Sequence, residues 1–368
     1  MKVLNAGALF LLLMTALCGC ERRDQSTLVG FIGGLSTKTS DVGVMGRDGT
    51  LLAFEEFNLK QGHARNQVEL VVYDDAQNPV RGRKAFRDLK EKGAVAVVGP
   101  MTSSMCEAIW PLANESVIPI VSPTCSSVVF DGHDDAFFRV YPTCRKAAKK
   151  LAAEARGLGL EHVTVLVDLA NESFTRYWAS QFTDEFTANG HGRVSQVTFH
   201  SKQKIDYFTL AQNISGAKPD GVLILANPTD TGLVAQQFAK LGNIPQLLVS
   251  EWSLSGDLNR YSGVATGHII GVQNIHPEQG FSTRPDFYSR FKARFGREPN
   301  FAAAFGYDAA QVLLRALTTK GEDESLVDAL RKTGQVDGVI NQFTMDRLGD
   351  VERPVYLVTN KNGELIGI

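Results

Sequence analysis

Apolar, β-branched runs alternate with amphipathic stretches along most of the chain. LVGFIGGL (28–35), VELVVYDD (68–75) and AVAVVG (94–99) each precede a helical pattern. The beat continues through IPIVSP (118–123), FFRVYP (137–142), VTVLVD (163–168), VSQVTF (194–199), GVLILA (221–226) and PQLLVS (245–250). These runs are continuous rather than alternating, as strands covered on both faces should be. Strand, helix, strand at this rhythm predicts an α/β fold with parallel sheets and helices on both sides. The tail breaks the beat. RPDFYSRFKARFG, FAAAFGYDAAQVLLRALTTKG and SLVDALRKTG read as consecutive helices. VINQFTMDRLGD and VYLVTNKNGELIGI then read as strands, turning at Asp346–Asp350 and at Lys361-Asn362-Gly363.

A chain of 368 residues is too long for one ordinary core, so two lobes are expected. Hydrophobic content of 43% and charge of 21% belong to a folded domain. The net charge of -2, with no run rich in Lys or Arg, gives no electrostatic case for nucleic acid. The opening MKVLNAGALFLLLMTALCGC carries one charge, Lys2, before an apolar stretch from Ala6 to Leu17. That stretch is short for a membrane span and has the proportions of a signal-peptide core. Its end, Leu17-Cys18-Gly19-Cys20, resembles the bacterial lipobox. The resemblance implies a signal peptide over 1–20, a lipid on Cys20, and a polar tether over 21–27. An ordinary signal peptide cut nearby is the alternative.

Two stretches share an arrangement. VVGPMTSSM (97–105) and VSPTCSSV (121–128) each run from a strand pattern through a small residue and Pro to a Ser-Ser pair. In a doubly wound sheet, ligands gather where loops leave the carboxyl ends of strands. Small residues admit a ligand to the backbone, and a following helix offers unpaired N–H groups with partial positive charge. Ser and Thr hydroxyls extend those donors, so such loops suit a carboxylate without any Lys or Arg. Helix capping is the competing role for a single Ser pair. Two adjacent loops of one design favour a ligand role. Further strand ends bring forward Asn171, Glu172 and Phe174 in VLVDLANESF, Asn227 and Asp230 in LILANPTD, and Glu251 and Trp252 in LLVSEWS.

Enzyme chemistry finds no support. The seven histidines never pair at metal-ligand spacing, GFIGGLSTKTSDVG lacks a nucleotide-binding glycine pattern, and there is no G-x-S-x-G elbow. Neither a metal nor a cofactor is therefore expected. Asp74-Asp75 reads as a turn in which Asp caps the next helix rather than as a carboxylate pair. Cys106, Cys125 and Cys144 allow one disulfide and one free thiol, with the pairing open.

The order of VGFIGGLS, ELVVYDDAQNP, VVGPMTSS, IPIVSPTCSS, FFRVYPT, PDGVLILA and FAAAFGYDAAQVLLRAL resembles the type I periplasmic binding proteins. The likeness is to the Leu/Ile/Val-binding group of ABC-transport receptors. That resemblance implies two Rossmann-like lobes joined by a three-segment hinge, with the ligand in the interlobe cleft. The crossings match positions near Tyr141, Val272–His276 and Val339–Phe343, giving lobe 1 as 28–140 plus 277–340 and lobe 2 as 141–276 plus 341–368. It assigns Ser103, Ser104, the Thr124 backbone and the Ser126 hydroxyl to a ligand carboxylate, and Glu251 to a ligand ammonium. Glu251 otherwise reads as an exposed loop carboxylate, and Trp252 as a lid over the ligand or a rim aromatic. Asn171, Glu172 and Asn227 complete the candidate set. The relatives' pocket aromatics fall here on Val42, Asn171 or Glu172, and Asn227, which points to a more polar ligand than leucine. The implied partners are a small carboxylate-bearing solute, an ABC permease and, through lipid, a bacterial membrane facing the periplasm. The same fold also serves ligand-sensing and envelope-regulating modules, which is the rival reading.

Overall fold

The structure, a computed structural model, describes residues 26–37, 40–62, 67–254, 256–281 and 284–368. The signal peptide, Cys20 and most of the tether lie outside these residues. The elements are β1 Thr27–Gly33, α1 Asp41–Gln61, β2 Val68–Asp74, α2 Pro79–Glu91, β3 Ala96–Val98, α3 Ser103–Ser116, β4 Ile120–Ser122 and β5 Phe137–Arg139. Next come α4 Cys144–Gly157, β6 His162–Asp168, α5 Glu172–Phe186, β7 Arg193–Phe199, α6 Tyr207–Gly216, β8 Gly221–Leu225, α7 Pro228–Lys240, β9 Gln246–Val249, α8 Gly256–Ser262 and β10 Ile269–Gln273. The tail holds α9 Pro285–Phe295, α10 Phe301–Thr319, α11 Leu326–Arg331, β11 Gly334–Asp337, β12 Gln342–Met345, β13 Val351–Glu352, β14 Tyr356–Lys361 and β15 Glu364–Gly367.

The strands assemble in the order β2-β1-β3-β4-β5 in one large sheet and β15-β14-β10-β9-β8-β6-β7 in another, with β11-β12-β13 as a small third; the α/β reading expected parallel sheets but no particular order. Every pairing in the first sheet is parallel, and the second turns antiparallel only at β14 and β15. The run HVTVLVD of β6 is buried at all seven positions, because helices cover both faces. Phe31, Phe54, Phe138 and Phe305 anchor one side of the first sheet, and Phe86, Leu89 and Ile109 the other. Trp178, Phe182 and Phe186 pack on one side of the second, Phe238 and Ile214 on the other. Helices α1 and α10 touch backbone to backbone. A Cβ on Gly49 would meet the Ala303 carbonyl at 1.9 Å, and one on Gly306 the Gly46 carbonyl at 2.2 Å.

Two local expectations change. Asn78, not an Asp, caps α2, accepting from Val80 and Arg81 N–H; Asp74 instead accepts from Leu35 and Ala76, and Asp75 from Gln77. The resemblance places residues 341–368, and so 341–352, in lobe 2. In the structure β12 pairs with β11 and β13, and Phe343, Met345 and Val351 are buried in the first lobe's core. The chain passes to the second sheet only after Glu352.

At the seam between lobes a buried cation, Arg353, anchors the third crossing to the first lobe. Arg353 donates to Val140 O at 2.8 Å, Asn341 Oδ1 at 2.8 Å and Asp308 Oδ2 at 2.9 Å. Its guanidinium lies 3.8 Å from the Phe343 ring centre and 4.7 Å from that of Phe305. Pro354 O accepts from Asn274 at 2.8 Å, so all three crossings meet here. Away from this seam, Lys202 Nζ of the second lobe bonds Gln77 O of the first.

Candidate functional site

Strand β3 stops because Gly99 turns it aside. Its φ of +100° is unfavourable for other residues, and a Cβ there would sit 2.1 Å from Ile32 O. The chain then reaches Thr102 and starts α3 at Ser103. The second Ser-Ser loop lies directly against this helix start. Ser103 Oγ accepts from Ser126 N–H at 3.2 Å and Ser127 N–H at 3.3 Å. Thr124 Oγ1 donates to Met101 O at 2.5 Å. A disulfide joins Cys106, on the first turn of α3, to Cys125 between Thr124 and Ser126. This settles the open pairing and leaves Cys144 as a buried free thiol, its pKa raised by burial. The two loops therefore form one stapled unit.

The second lobe answers with the start of α5. Ser104 N–H donates to Asn171 Oδ1 at 3.1 Å, and Ser173 N–H donates to Ser104 Oγ at 3.1 Å. Two helix N-termini, both partially positive, meet head to head with a carboxamide oxygen between them. Glu251 follows β9 and is buried, its Oε2 accepting from Trp178 Nε1 at 3.2 Å. Burial pushes its carboxyl up to about 7. Trp252 meets Phe174 edge to face, ring centres 5.8 Å apart.

These groups border an interlobe cavity of about 30 Å³ that is open on one side. Ser103, Thr124, Ser126, Asn171, Glu251 and Trp252 line it, with Ser104 just behind, bonded across the cleft. Glu172 does not reach it: the side chain is exposed and pairs with Arg176 at 3.1 Å. Asn227 is buried but caps α7, accepting from Asp230 N–H at 3.0 Å. Sequence reasoning passed over Tyr141 and Phe301 as site residues, although both line the cavity. Tyr141 was legible only as a crossing residue, and Phe301 only as the start of a helix. A second chamber, of about 370 Å³, begins beyond Tyr141, Glu251 and Phe301. Among the described residues no cluster of three His, Cys, Asp or Glu is placed to hold a metal ion.

The chain matches the family model described as periplasmic binding protein over residues 27–364. It is 20% identical to Leu/Ile/Val-binding protein homolog 2 of Brucella abortus (strain 2308) over 337 residues, 90% of this chain and 89% of that protein. Its fold is similar to that of the leucine binding protein LivK from Thermotoga maritima MSB8. There the TM-score is 0.83, with 25% identity and coverage of 93% and 97% of the two chains. An ABC transporter solute binding protein from R. palustris, solved in complex with benzoate, shares the fold with a TM-score of 0.82. Its identity is 18%, covering 94% of this chain and 96% of that one.

Proposed function

This chain belongs to the periplasmic binding protein family, and on that premise we propose that it captures a small carboxylate-bearing solute for an ABC importer. The family is periplasmic or extracellular, and the relatives are solute-binding proteins rather than enzymes. Capture works by closure of two lobes about the Arg353 seam, and a lipid on Cys20 holds the protein at the membrane. Amino acids and aromatic acids such as benzoate are the ligand classes that the relatives' names supply.

One observation carries this reading: Ser103, Thr124 and Ser126 of one lobe and Asn171, Glu251 and Trp252 of the other border a single cavity. The Ser104 N–H to Asn171 Oδ1 bond marks where an acceptor sits at the start of α3. A ligand carboxylate takes that place, gaining a charged acceptor's stronger bond and the helix dipole. A space of 30 Å³ holds about one water. Asn171 must therefore withdraw as cargo enters, and closing the lobes over the cargo excludes water and strengthens each remaining bond.

Isothermal titration with leucine, isoleucine, glutamate and benzoate tests the assignment. Heat is expected with at least one. Replacing Ser103 and Ser126 together by Ala should weaken it by roughly tenfold or more. A folded protein giving no heat with any of the four ends the carboxylate reading. Unchanged uptake after gene deletion would separate binding from import.

A further inference from the structure

Both large sheets run away from the Arg353 seam over the same distance. The first crossing leaves β5, and β2 lies four strands further along that sheet; the second crossing leaves β10, and β7 lies four strands further along its own. At about 4.8 Å per strand step, each outer edge stands roughly 19 Å from the seam. The loops that follow β2 and β7 therefore form the far rim of the cleft. There Lys202 Nζ, from the loop after β7, bonds Gln77 O, from the loop after β2.

Both ends of this contact are held in place. Asp168, at the end of β6, accepts through Oδ1 from Ala170 N–H at 2.9 Å and from Ser201 N–H at 3.0 Å, which fixes the turn carrying Lys202. Across the rim, Ala76 and Gln77 are consecutive non-glycine residues in the left-handed region, at φ of +47° and +51°. Such a turn is unfavourable on its own and persists only where neighbours impose it. Asp74 and Asp75 do so, accepting from Ala76 N–H at 2.9 Å and Gln77 N–H at 2.6 Å. Asp75 and Asp168 are buried, and each keeps its Oδ2 without a hydrogen-bond partner among the described residues. Their two charges hold the Lys202 ammonium against the desolvation that pulls its pKa below the ordinary lysine value.

A bond at a radius of roughly 19 Å parts by about 3 Å when the lobes turn by roughly 10°, so it exists only with the mouth shut. An interaction made in one of two conformations shifts the population toward it. None of Lys202, Gln77, Asp75 and Asp168 lines the interlobe cavity or the chamber beyond it. We propose that Lys202 is a closure latch, its ammonium bonded to Gln77 O between Asp75 and Asp168, which holds the mouth of the cleft shut and tunes affinity without touching the cargo. This rests on the two-lobe capture proposed above and adds a regulating residue to it.

Spin labels on the exposed positions Arg87→Cys of α2 and Gln212→Cys of α6 report the width of the mouth in the full chain with no solute added. Lys202→Met, which keeps length and removes charge, should move the interlobe distance outward by several ångströms. Lys202→Glu, which sets a third carboxylate beside two, should move it further, and Lys202→Arg should restore the parent distance. Distances unmoved by Met and Glu overturn the latch, as does opening by Arg equal to that by Met. Titration with leucine, isoleucine, glutamate and benzoate distinguishes the two readings. For any solute that binds, Lys202→Met should weaken affinity at least fivefold, roughly, through faster dissociation. If none gives heat while the distance still answers to Lys202, the latch stands and the carboxylate reading falls. If a solute binds and neither its affinity nor the distance answers to Lys202, the carboxylate reading stands and the latch falls.

Discussion

The two lobes meet the cleft with surfaces of different construction. Lobe 1 presents one unit: two loops stapled by Cys106–Cys125, with Ser103 Oγ bonded to two N–H groups of the facing loop and Thr124 bonded to Met101. Lobe 2 presents separate side chains, one from each of several strand ends. Asn171 spans the cleft, Glu251 sits buried beside Trp178, and Asn227 turns back onto its own helix. A stapled cradle loses little freedom on binding, because its donors are already ordered. Separate side chains can be exchanged one at a time without disturbing neighbours. In the proposed capture, lobe 1 fixes the position of the ligand's headgroup, and lobe 2 decides which ligand is held.

The strongest way to break this contrast is to cut the staple. Cys106→Ala with Cys125→Ala removes a cross-link spanning 19 residues and should cost about 3 kcal/mol in urea unfolding. A matching loss of affinity would show that the cradle's order depends on it; unchanged affinity would mean the hydrogen bonds suffice.

A comparable effect is expected from Glu251, with opposite sign. Its folded pKa of about 7 lies above the ordinary glutamate value of 4.5. Below pH 4.5 both states hold the proton and nothing is lost. Between 4.5 and 7 the unfolded chain releases it while the folded chain does not, so stability falls as pH rises. Above pH 7 the deficit levels off near 3 kcal/mol. Glu251→Gln should therefore raise the melting temperature at pH 8 and flatten the slope between 4.5 and 7. What slope remains belongs to groups such as Asp75, pushed up to about 6 by burial. A variant that melts lower than the parent at pH 8 would show Glu251 to be a net stabiliser, contrary to this account.

The same contrast governs what could be read in advance. The lobe 1 cradle was visible because its pattern is local and repeated: strand, small residue, Pro, Ser-Ser. The succession of strands along the chain followed equally from unbroken apolar runs, although their order within each sheet did not. Lobe 2 offered three strand ends of similar appearance, and nothing local says which side chain crosses the cleft. Glu172 and Asn227 look as eligible as Asn171, yet an i,i+4 arginine and a cap claim them. The Arg353 seam was illegible for a related reason. Its partners Val140, Asp308 and Asn341 come from distant segments, and the hairpin that carries it to lobe 1 is held by core burial of Phe343, Met345 and Val351.

Smaller effects sharpen the contrast at those two residues. Asn227→Ala removes an N-cap and should lower stability by about 1 kcal/mol, leaving ligand affinity unchanged. Loss of affinity without loss of stability would return Asn227 to the site.

Glu172 is expected to matter least. It opens α5, where a carboxylate gains a little from the helix dipole, and it pairs with Arg176 one turn on. Both side chains are more than half exposed to solvent, at 57% and 52%, so screening leaves the pair worth only a few tenths of a kcal/mol. Glu172→Ala should then shift urea midpoints barely, and should do so less as salt is raised. The informative comparison is with Asn171→Ala one residue earlier, which empties the acceptor position opposite Ser104 N–H. That change should favour the open form and alter ligand affinity, while its neighbour does neither. If the two variants behave alike, the helix start as a whole faces the ligand, and lobe 2 is less a set of independent side chains than a second cradle.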